Sequence, residues 1–550
     1  MKIAIIGGGP WGMAVLERQI INGNMQPDTH FSIDVYDPRD PGPGVHDSNL
    51  EDYLWLNTHY LQIDAFSAPT FGEQPLTGAK SFRQWLIATG AYDPDVIYYR
   101  RSLYGRYMKF VYGVLRSNAA SNITVTHIKA AVDKIRFQPE SGRERLESGN
   151  AHNLYDYAII CTGHGLQHRS SADSGVEFTS YSGKRIGLAG MGLDAIDRIM
   201  SFTTGLGGEF CSSSDGSLSY RKSGKEPELY LFSRHGLPFH CRPDVSLDGL
   251  YGYVPRYCTE AALRDIRTNR GRVDFETDVL PLLINELREV YHYHSRRITR
   301  VNMTEGPDYE PDWPAPTRDE PLPDPSVLFR SRALRQYACP SEYVDEISKY
   351  IGSDVHQSCI GEKNSPYKAS LEVFRLFRSF IRETVEFGML TPDSGERFFN
   401  YYAPRFNQIS VGPPAIRGRQ FLALLRAGVI KLDLGPAPVL TGSDSTGYVA
   451  TTTCFENNFS VVLDGFCRAF RDQPVRAKPE MIVQRDPDYA FDIGPDWRIR
   501  DGEGDPRNLF IAGVPTNGWT YFSSYFPSPK SRSNAFLIAD RIAATVMRPA

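Results

Sequence analysis

Short apolar runs alternate along this chain with stretches in which apolar positions return every three or four residues. Lys2 to Ile6 is apolar without alternation, as suits a strand buried on both faces of a parallel sheet. Met13 to Arg18 then has helical spacing, and "FSIDVYD", Phe31 to Asp37, is a second strand pattern. The same order returns further on, with a strand over Arg185–Ala189, a helix through Met200 and the strand "ELYLFSRHG". Two more apolar runs, "LYDYAIICTGHG" (Leu154 to Gly165) and "NLFIAGVPTNGW" (Asn508 to Trp519), end in glycine and polar turn residues. Strands alternating with helices predict an α/β fold built on parallel sheets.

The turns between strand and helix carry the chemistry. Gly7, Gly9 and Gly12 fit G-x-G-x-x-G, with Pro10 opening the helix. The first glycine permits the tight turn, the second lets backbone approach a pyrophosphate, and the third lets the helix pack on the strand. Asp37 closes the next strand 25 positions after Gly12, where a carboxylate can accept from a ribose diol. Thr162 and Gly163 end a strand that resembles the segment returning beside the cofactor in two-dinucleotide flavoproteins, a resemblance that implies that the backbone from Gly513 through Val514 to Thr516 approaches a flavin. This site is therefore expected to hold FAD.

A second turn has Gly190, Gly192 and Ala195 in G-x-G-x-x-A. After a Gly/Ser-rich insertion over residues 209–227, the next strand ends in Ser233-Arg234-His235 instead of an acid. Arginine pairs with a 2′-phosphate that a carboxylate would repel, so NADPH is expected here. The fold predicted is two Rossmann-like dinucleotide-binding domains, the second inserted into the first. Residues 1–178 would begin the FAD domain and 456–550 complete it, with "FSVVLDGF" (Phe459 to Phe466) as the strand that crosses back. Residues 179–455 would form the NADPH domain, with a helical section over about 258–425. Within that section "SLEVFRLFRSFIRETVEFG" predicts one helix from an N-cap at Ser370 to a stop at Gly388. Proline-rich 308–326 and "YFPSPKSRS" (525–533) predict loops.

Composition narrows the partners. The 550 residues are 41% hydrophobic and carry a net charge of −4, so no global field attracts nucleic acid. The eight cysteines show no C-x-x-C or zinc spacing, which predicts free thiols and no metal. No run of 18 apolar residues predicts a membrane span, and the opening lacks the regions of a signal peptide, so a cytoplasmic protein is expected.

With both nucleotides bound, hydride would pass from nicotinamide to flavin. No cysteine pair is present to carry electrons onward, so molecular oxygen is the expected oxidant, through a flavin C4a-hydroperoxide in a closed apolar cavity. Asn57 and Thr58 in "LWLNT", and Trp519, Tyr521 and Phe522, are candidate walls of that cavity, with Asn57 donating near flavin N5 or the bound NADP⁺. Arg242, Arg405, Asn407 and Lys363-Asn364, read as loop positions, are candidates to recognise an amino-acid substrate. His240 reads as a structural histidine.

Taken together, "AIIGGGPWGMAVLERQ", "DPRDPGPG", "LWLNT", "RSLYGRYMKFVYGVL", "GLAGMGLDAIDRIM", "GLGGEF", "YRKSGKEPELYLFSRHGLPF", "VGPP" and "FIAGVPT" resemble the FAD-NAD(P)-binding family of bacterial flavoproteins. The resemblance runs from Met1 to about Leu250 and resumes at about Gly412. Such flavoproteins often have an aspartate where Val514 stands, which moves the expected flavin contact onto backbone. The resemblance implies an enzyme related to class B and N-hydroxylating monooxygenases, among them L-aspartate N-monooxygenases of natural-product biosynthesis. The expected activity is therefore N-hydroxylation of a small amino acid or amine. A Baeyer-Villiger or S-oxygenating enzyme, or a redox-sensing flavoprotein without turnover, are the alternatives.

Overall fold

A computed structural model of the chain describes residues 1–163, 178–214, 217–243, 253–269, 272–304, 328, 332–443, 445–468, 492–501, 503–523 and 534–547. The expected loops at 308–326 and 525–533 lie outside these. The elements used below are, in chain order, β1 (Lys2–Ile6), α1 (Pro10–Asn24), β2 (Phe31–Tyr36), α2 (Arg101–Ser117), β3 (Ile123–Ile128) and β4 (Tyr157–Ile160). They continue with β5 (Arg185–Ala189), α3 (Leu193–Phe202), β6 (Glu228–Phe232), α4 (Pro340–Ile360), α5 (Pro366–Leu371), α6 (Ala403–Ser410) and α7 (Ala415–Arg426). The last are β7 (Ile430–Lys431), β8 (Gly465–Arg468), β9 (Pro506–Ile511) and α8 (Asn534–Val546).

Two compact units result. One comprises Met1–Ser170, Glu386–Gly388 and Gln473–Ala550; the other, Ser171–Val385 and Met389–Asp472, is inserted between its long segments in the sequence.

In the first unit a seven-stranded sheet runs Asp492–Ile493, Arg498–Arg500, β9, β4, β1, β2, β3. From β9 to β3 all neighbours are parallel, with Ile5 opposite both Val35 and Ile159, and Phe510 opposite Ile159. Ile3, Ile5, Ile33 and Val35 are fully buried, which is why these runs show no polar alternation. Helices α1 and α8 pack together, and buried Arg18 ties them by pairing with Asp540 at 2.7 Å and with Glu73 at 2.6 Å.

In the second unit β7, β6, β5 and β8 form a parallel sheet in that order, with Leu229, Leu231, Ile186 and Leu188 buried. The Gly/Ser-rich insertion is a hairpin of Glu209–Ser212 on Leu218–Arg221. Two expectations change here. Phe459–Leu463 pairs antiparallel with Gly447–Thr452, and β8 pairs with β5, so the segment read as crossing back completes the second unit's own sheets. The helix expected over 370–388 is three pieces, α5, Val373–Leu376 and Arg378–Val385. Its cap is Ser365, which accepts from the Lys368 N–H, and Ser370 lies inside a helix. The breaks let buried side chains leave the segment in several directions, with Phe374 stacked on Phe406 at 4.7 Å. Among the described residues no helix is long and apolar enough to cross a membrane.

Candidate functional site

The first glycine turn is shaped by backbone that tolerates no side chain. Gly7 has φ +103°, and a Cβ there would lie 2.5 Å from the Cys161 carbonyl oxygen, so glycine alone lets the ends of β1 and β4 meet. A Cβ on Gly12 would lie 2.1 Å from the Gly7 carbonyl oxygen, so glycine there seats α1 on the turn. Gly9 is the N-cap of α1 and Pro10 its first residue; the helical ladder starts with Met13 N–H donating to the Gly9 carbonyl at 2.9 Å. The positive end of a 15-residue helix dipole is thereby aimed at a surface made of glycine backbone. That cradle fits the diphosphate of a dinucleotide.

Asp37 stands at the end of β2 as expected, and it also fastens the turn. Its carboxylate accepts from Gly8 N–H and from Arg39 N–H, each at 2.9 Å, and the residue is buried. The "DPGPG" loop passes between this turn and α2. Gly42 N–H donates to the Gly8 carbonyl at 2.6 Å, and a Cβ on Gly42 would meet the Met108 carbonyl oxygen at 2.3 Å.

The return strand β9 reaches the same place. Gly513, φ +79°, lies under the Trp11 ring, which a Cβ would approach to 2.8 Å, and Trp11 Nε1 donates to the Ser523 carbonyl at 3.1 Å. Val514 to Thr516 make a single helical turn in which the buried Thr516 hydroxyl donates to the Gly513 carbonyl at 2.7 Å. Thr162 follows β4, its Cα 3.0 Å from where a Gly7 Cβ would sit, and Gly163 takes φ +61°. Asn57 and Thr58 occupy a bend between Leu56, whose amide bonds the Tyr99 carbonyl, and His59, which caps the next short helix. Trp519 Nε1 donates to Asp492 at 3.2 Å, and the Tyr521 amide donates to Glu386 at 2.8 Å.

The second turn repeats the pattern at the carboxyl end of β5. Gly190 has φ +132°, Gly192 is the N-cap of α3, and a Cβ on Gly192 would meet the Phe239 ring at 3.1 Å. Ser233, after β6, uses its hydroxyl to accept the Gly236 N–H at 3.0 Å, so its first task is to hold the turn. Arg234 is exposed beside it. Arg242 is buried, with its amide donating to the Pro413 carbonyl at 2.7 Å. Arg405 and Asn407 lie in helix α6, not in a loop as expected, because Ala403–Ser410 continues a helical run begun at Pro392. Arg405 is fully buried and Asn407 Oδ1 is buried without a hydrogen-bond partner. Lys363 and Asn364 are in an exposed turn. The structure thus gathers Gly190, Gly192, the 233–242 loop and α6 in the second unit, to which Arg242 and Asn407 belong, whereas Asn57 belongs to the first.

His240 is a structural histidine. Its Nδ1 is 2.6 Å from Asp354 Oδ1 and its Nε2 is 2.9 Å from the Tyr350 hydroxyl. Lys368 Nζ also bonds Asp354 Oδ1, at 2.5 Å, and donates to the Cys241 carbonyl at 2.8 Å. The Lys368 ammonium, with the hydrogen bonds that Lys368 and His240 make to it, holds the Asp354 carboxyl well below the usual range despite its burial. Neither Asp354 nor Lys368 carries a sequence signal, since each sits in an ordinary helical pattern. All eight cysteines are free thiols, and among the described residues no group of three or more His, Cys, Asp and Glu is arranged to hold a metal ion.

Known proteins resemble this chain in sequence over much of its length. Residues 4–165 match the FAD-NAD(P)-binding family model. The chain is 28% identical over 501 residues to an L-aspartate N-monooxygenase (nitrosuccinate-forming) of Streptomyces davaonensis, covering 79% of this chain and 76% of that one. It is 27% identical over 490 residues to a nitrosuccinic acid synthase of Aspergillus oryzae, covering 80% and 74%. Among solved structures, an ornithine hydroxylase of Pseudomonas aeruginosa aligns over 99% of this chain and 98% of its own, with TM-score 0.43 and 11% identity. Residues 4–165 are an FAD-NAD(P)-binding domain, in a chain similar to L-aspartate N-monooxygenases over 79% of its length.

Proposed function

We propose that this protein is an FAD- and NADPH-dependent N-monooxygenase that hydroxylates the α-amino group of a small amino acid, with L-aspartate the first substrate to test. The observation that carries this reading is the combination of two glycine turns, one per unit, with likeness to an L-aspartate N-monooxygenase across 79% of the chain, more than either unit alone contains.

The reaction balances as amine, O2, NADPH and a proton giving hydroxylamine, water and NADP⁺. Bound FAD supplies the electron transfer from NADPH to oxygen. The chain's own residues bind and orient. The Gly7–Gly12 turn and the α1 N-terminus would receive the diphosphate, Asp37, which holds the turn closed, would meet the ribose, and the Gly513–Thr516 backbone would meet the flavin end. In the second unit Gly190 and Gly192 would receive the nicotinamide nucleotide's diphosphate, and Arg234 would stand at its adenosine end. Within the first unit Asn57 would donate its amide to the flavin, and within the second Arg242 and Asn407 are the residues offered for substrate recognition. The amine must reach the site unprotonated to act as nucleophile.

The test is anaerobic flavin reduction by NADPH, followed by aerobic turnover with L-aspartate and a panel of amino acids and amines, read by mass spectrometry for added oxygen. Added oxygen on nitrogen supports the reading. Oxygen inserted beside a carbonyl or on sulfur, or a flavin that NADPH never reduces, would overturn it in favour of a different oxygenase or a sensor.

A further inference from the structure

Arg405 is the most unusual charge among the described residues. It is fully buried on α6, yet only Nη1 has a hydrogen-bond partner, donating to Gln408 Oε1 at 2.8 Å; Nε and Nη2 are buried without one. Those two nitrogens form the side-on fork of the guanidinium, whose parallel N–H groups match two oxygens of a phosphate or carboxylate. A buried guanidinium without an anion is costly, and ordinary folding would have paired it or left it in water.

Its position identifies the anion. Helix α6 is tied to the loop that follows β6, with Gln408 donating to the Pro238 carbonyl at 3.0 Å and accepting the His240 N–H on its own carbonyl at 3.0 Å. The carboxyl end of the strand after the glycine-turn helix is where a dinucleotide's adenosine ribose comes to rest. Here that end presents Arg234, exposed. Nearby Arg332 is engaged with Glu346 at 2.5 Å, and its amide bonds the His235 carbonyl at 3.0 Å. Burial and the charges of Arg405 and Arg234 push His235 down to about 4, so at neutral pH it adds no competing proton but marks a cationic field.

We propose that Arg405 supplies, together with Arg234, the fork that receives the 2′-phosphate of NADPH, making a helix residue 171 positions downstream a determinant of nucleotide choice. This rests on the reading that the second unit takes NADPH. Reaching the fork requires the side chains over it to yield, a rearrangement common at ligand sites.

The test uses the FAD-loaded enzyme and equilibrium binding of 2′,5′-ADP and of 5′-AMP, which lacks the 2′-phosphate. Arg405→Met should fold with an equal or higher melting temperature, since it removes a buried charge that has no ionic partner. It should weaken 2′,5′-ADP binding roughly 10- to 100-fold while leaving 5′-AMP binding within about twofold. Arg405→Lys, which keeps the charge without the fork, should fall between. If wild type binds 2′,5′-ADP and both variants bind it equally well, or if they lose 5′-AMP equally, the proposal fails while the NADPH reading stands. A variant that keeps 2′,5′-ADP affinity but raises KM for the amino acid would assign the fork to a substrate carboxylate and also overturn it. Wild type that does not bind 2′,5′-ADP would end the NADPH reading itself.

Discussion

The Cα of Gly7 faces the carbonyl of Cys161 so closely that a methyl group on it would stand 2.5 Å from that oxygen, at a φ of +103°. One glycine thus sets the distance between the ends of the two central strands, where the cofactor's diphosphate is expected.

Gly7→Ala should therefore cost about 1–3 kcal/mol in backbone conformation before the collision with Cys161 is counted. The expected outcome is a protein that emerges with little or no yellow colour and a lowered melting temperature. A Gly7→Ala protein with wild-type flavin content would remove the diphosphate from this turn.

At the other nucleotide site, charge is the discriminator. Arg234→Glu should raise KM for NADPH by roughly 100-fold while changing that for NADH little, because a carboxylate repels the 2′-phosphate that only NADPH carries. Steady-state kinetics with the two nucleotides reads this directly, and equal shifts would dissociate Arg234 from the phosphate.

Lys368 and Asp354 are both nearly inaccessible, and their charges cancel within the core. Lys368→Met leaves Asp354 with His240 as its remaining side-chain partner, and Asp354→Ala strands a buried ammonium, so each should cost about 3–5 kcal/mol while the double variant costs less than the sum. Because the Asp354 carboxyl is depressed, its contribution is present in full above the ordinary carboxylate range and lost as pH falls below it. Additive losses in urea unfolding would show that the two charges do not act as a pair.

Glu17 moves in the opposite direction. Desolvation on α1 pushes it up to about 8 even though Oε1 accepts the Ser67 N–H at 2.8 Å. A raised carboxyl gives stability that is whole below about pH 4.5 and is lost as pH climbs to about 8. Glu17→Gln should flatten that loss, leaving the variant more stable than wild type by a few kcal/mol at pH 9 and much closer to it at pH 5. Parallel stability-against-pH curves for the two proteins would show that Glu17 ionises normally.

Local pattern was enough to place β1, β2, β5 and β6, both glycine turns, Asp37 and the exposed Arg234, because strand periodicity and the demand for glycine at a tight turn are properties of a few consecutive residues. The same locality explains the errors. "FSVVLDGF" has the composition of a strand in any sheet, and only the pairing of Phe459–Leu463 with Gly447–Thr452, and of β8 with β5, decided which sheets it joined. The run from Ser370 to Gly388 has helical spacing throughout, but buried side chains leaving it in several directions broke it into pieces. Arg405 reads in sequence as a loop arginine; it is instead buried on a helix, bonded to Gln408, which in turn bonds the Leu237 and Pro238 carbonyls far away in sequence. The pairing of Asp354 with Lys368 joins two helices whose patterns are each unremarkable. Backbone constraints are written where they act, whereas the pairing of charges and the choice of neighbours depend on which distant surfaces exclude water together, and that was settled only when the chain folded.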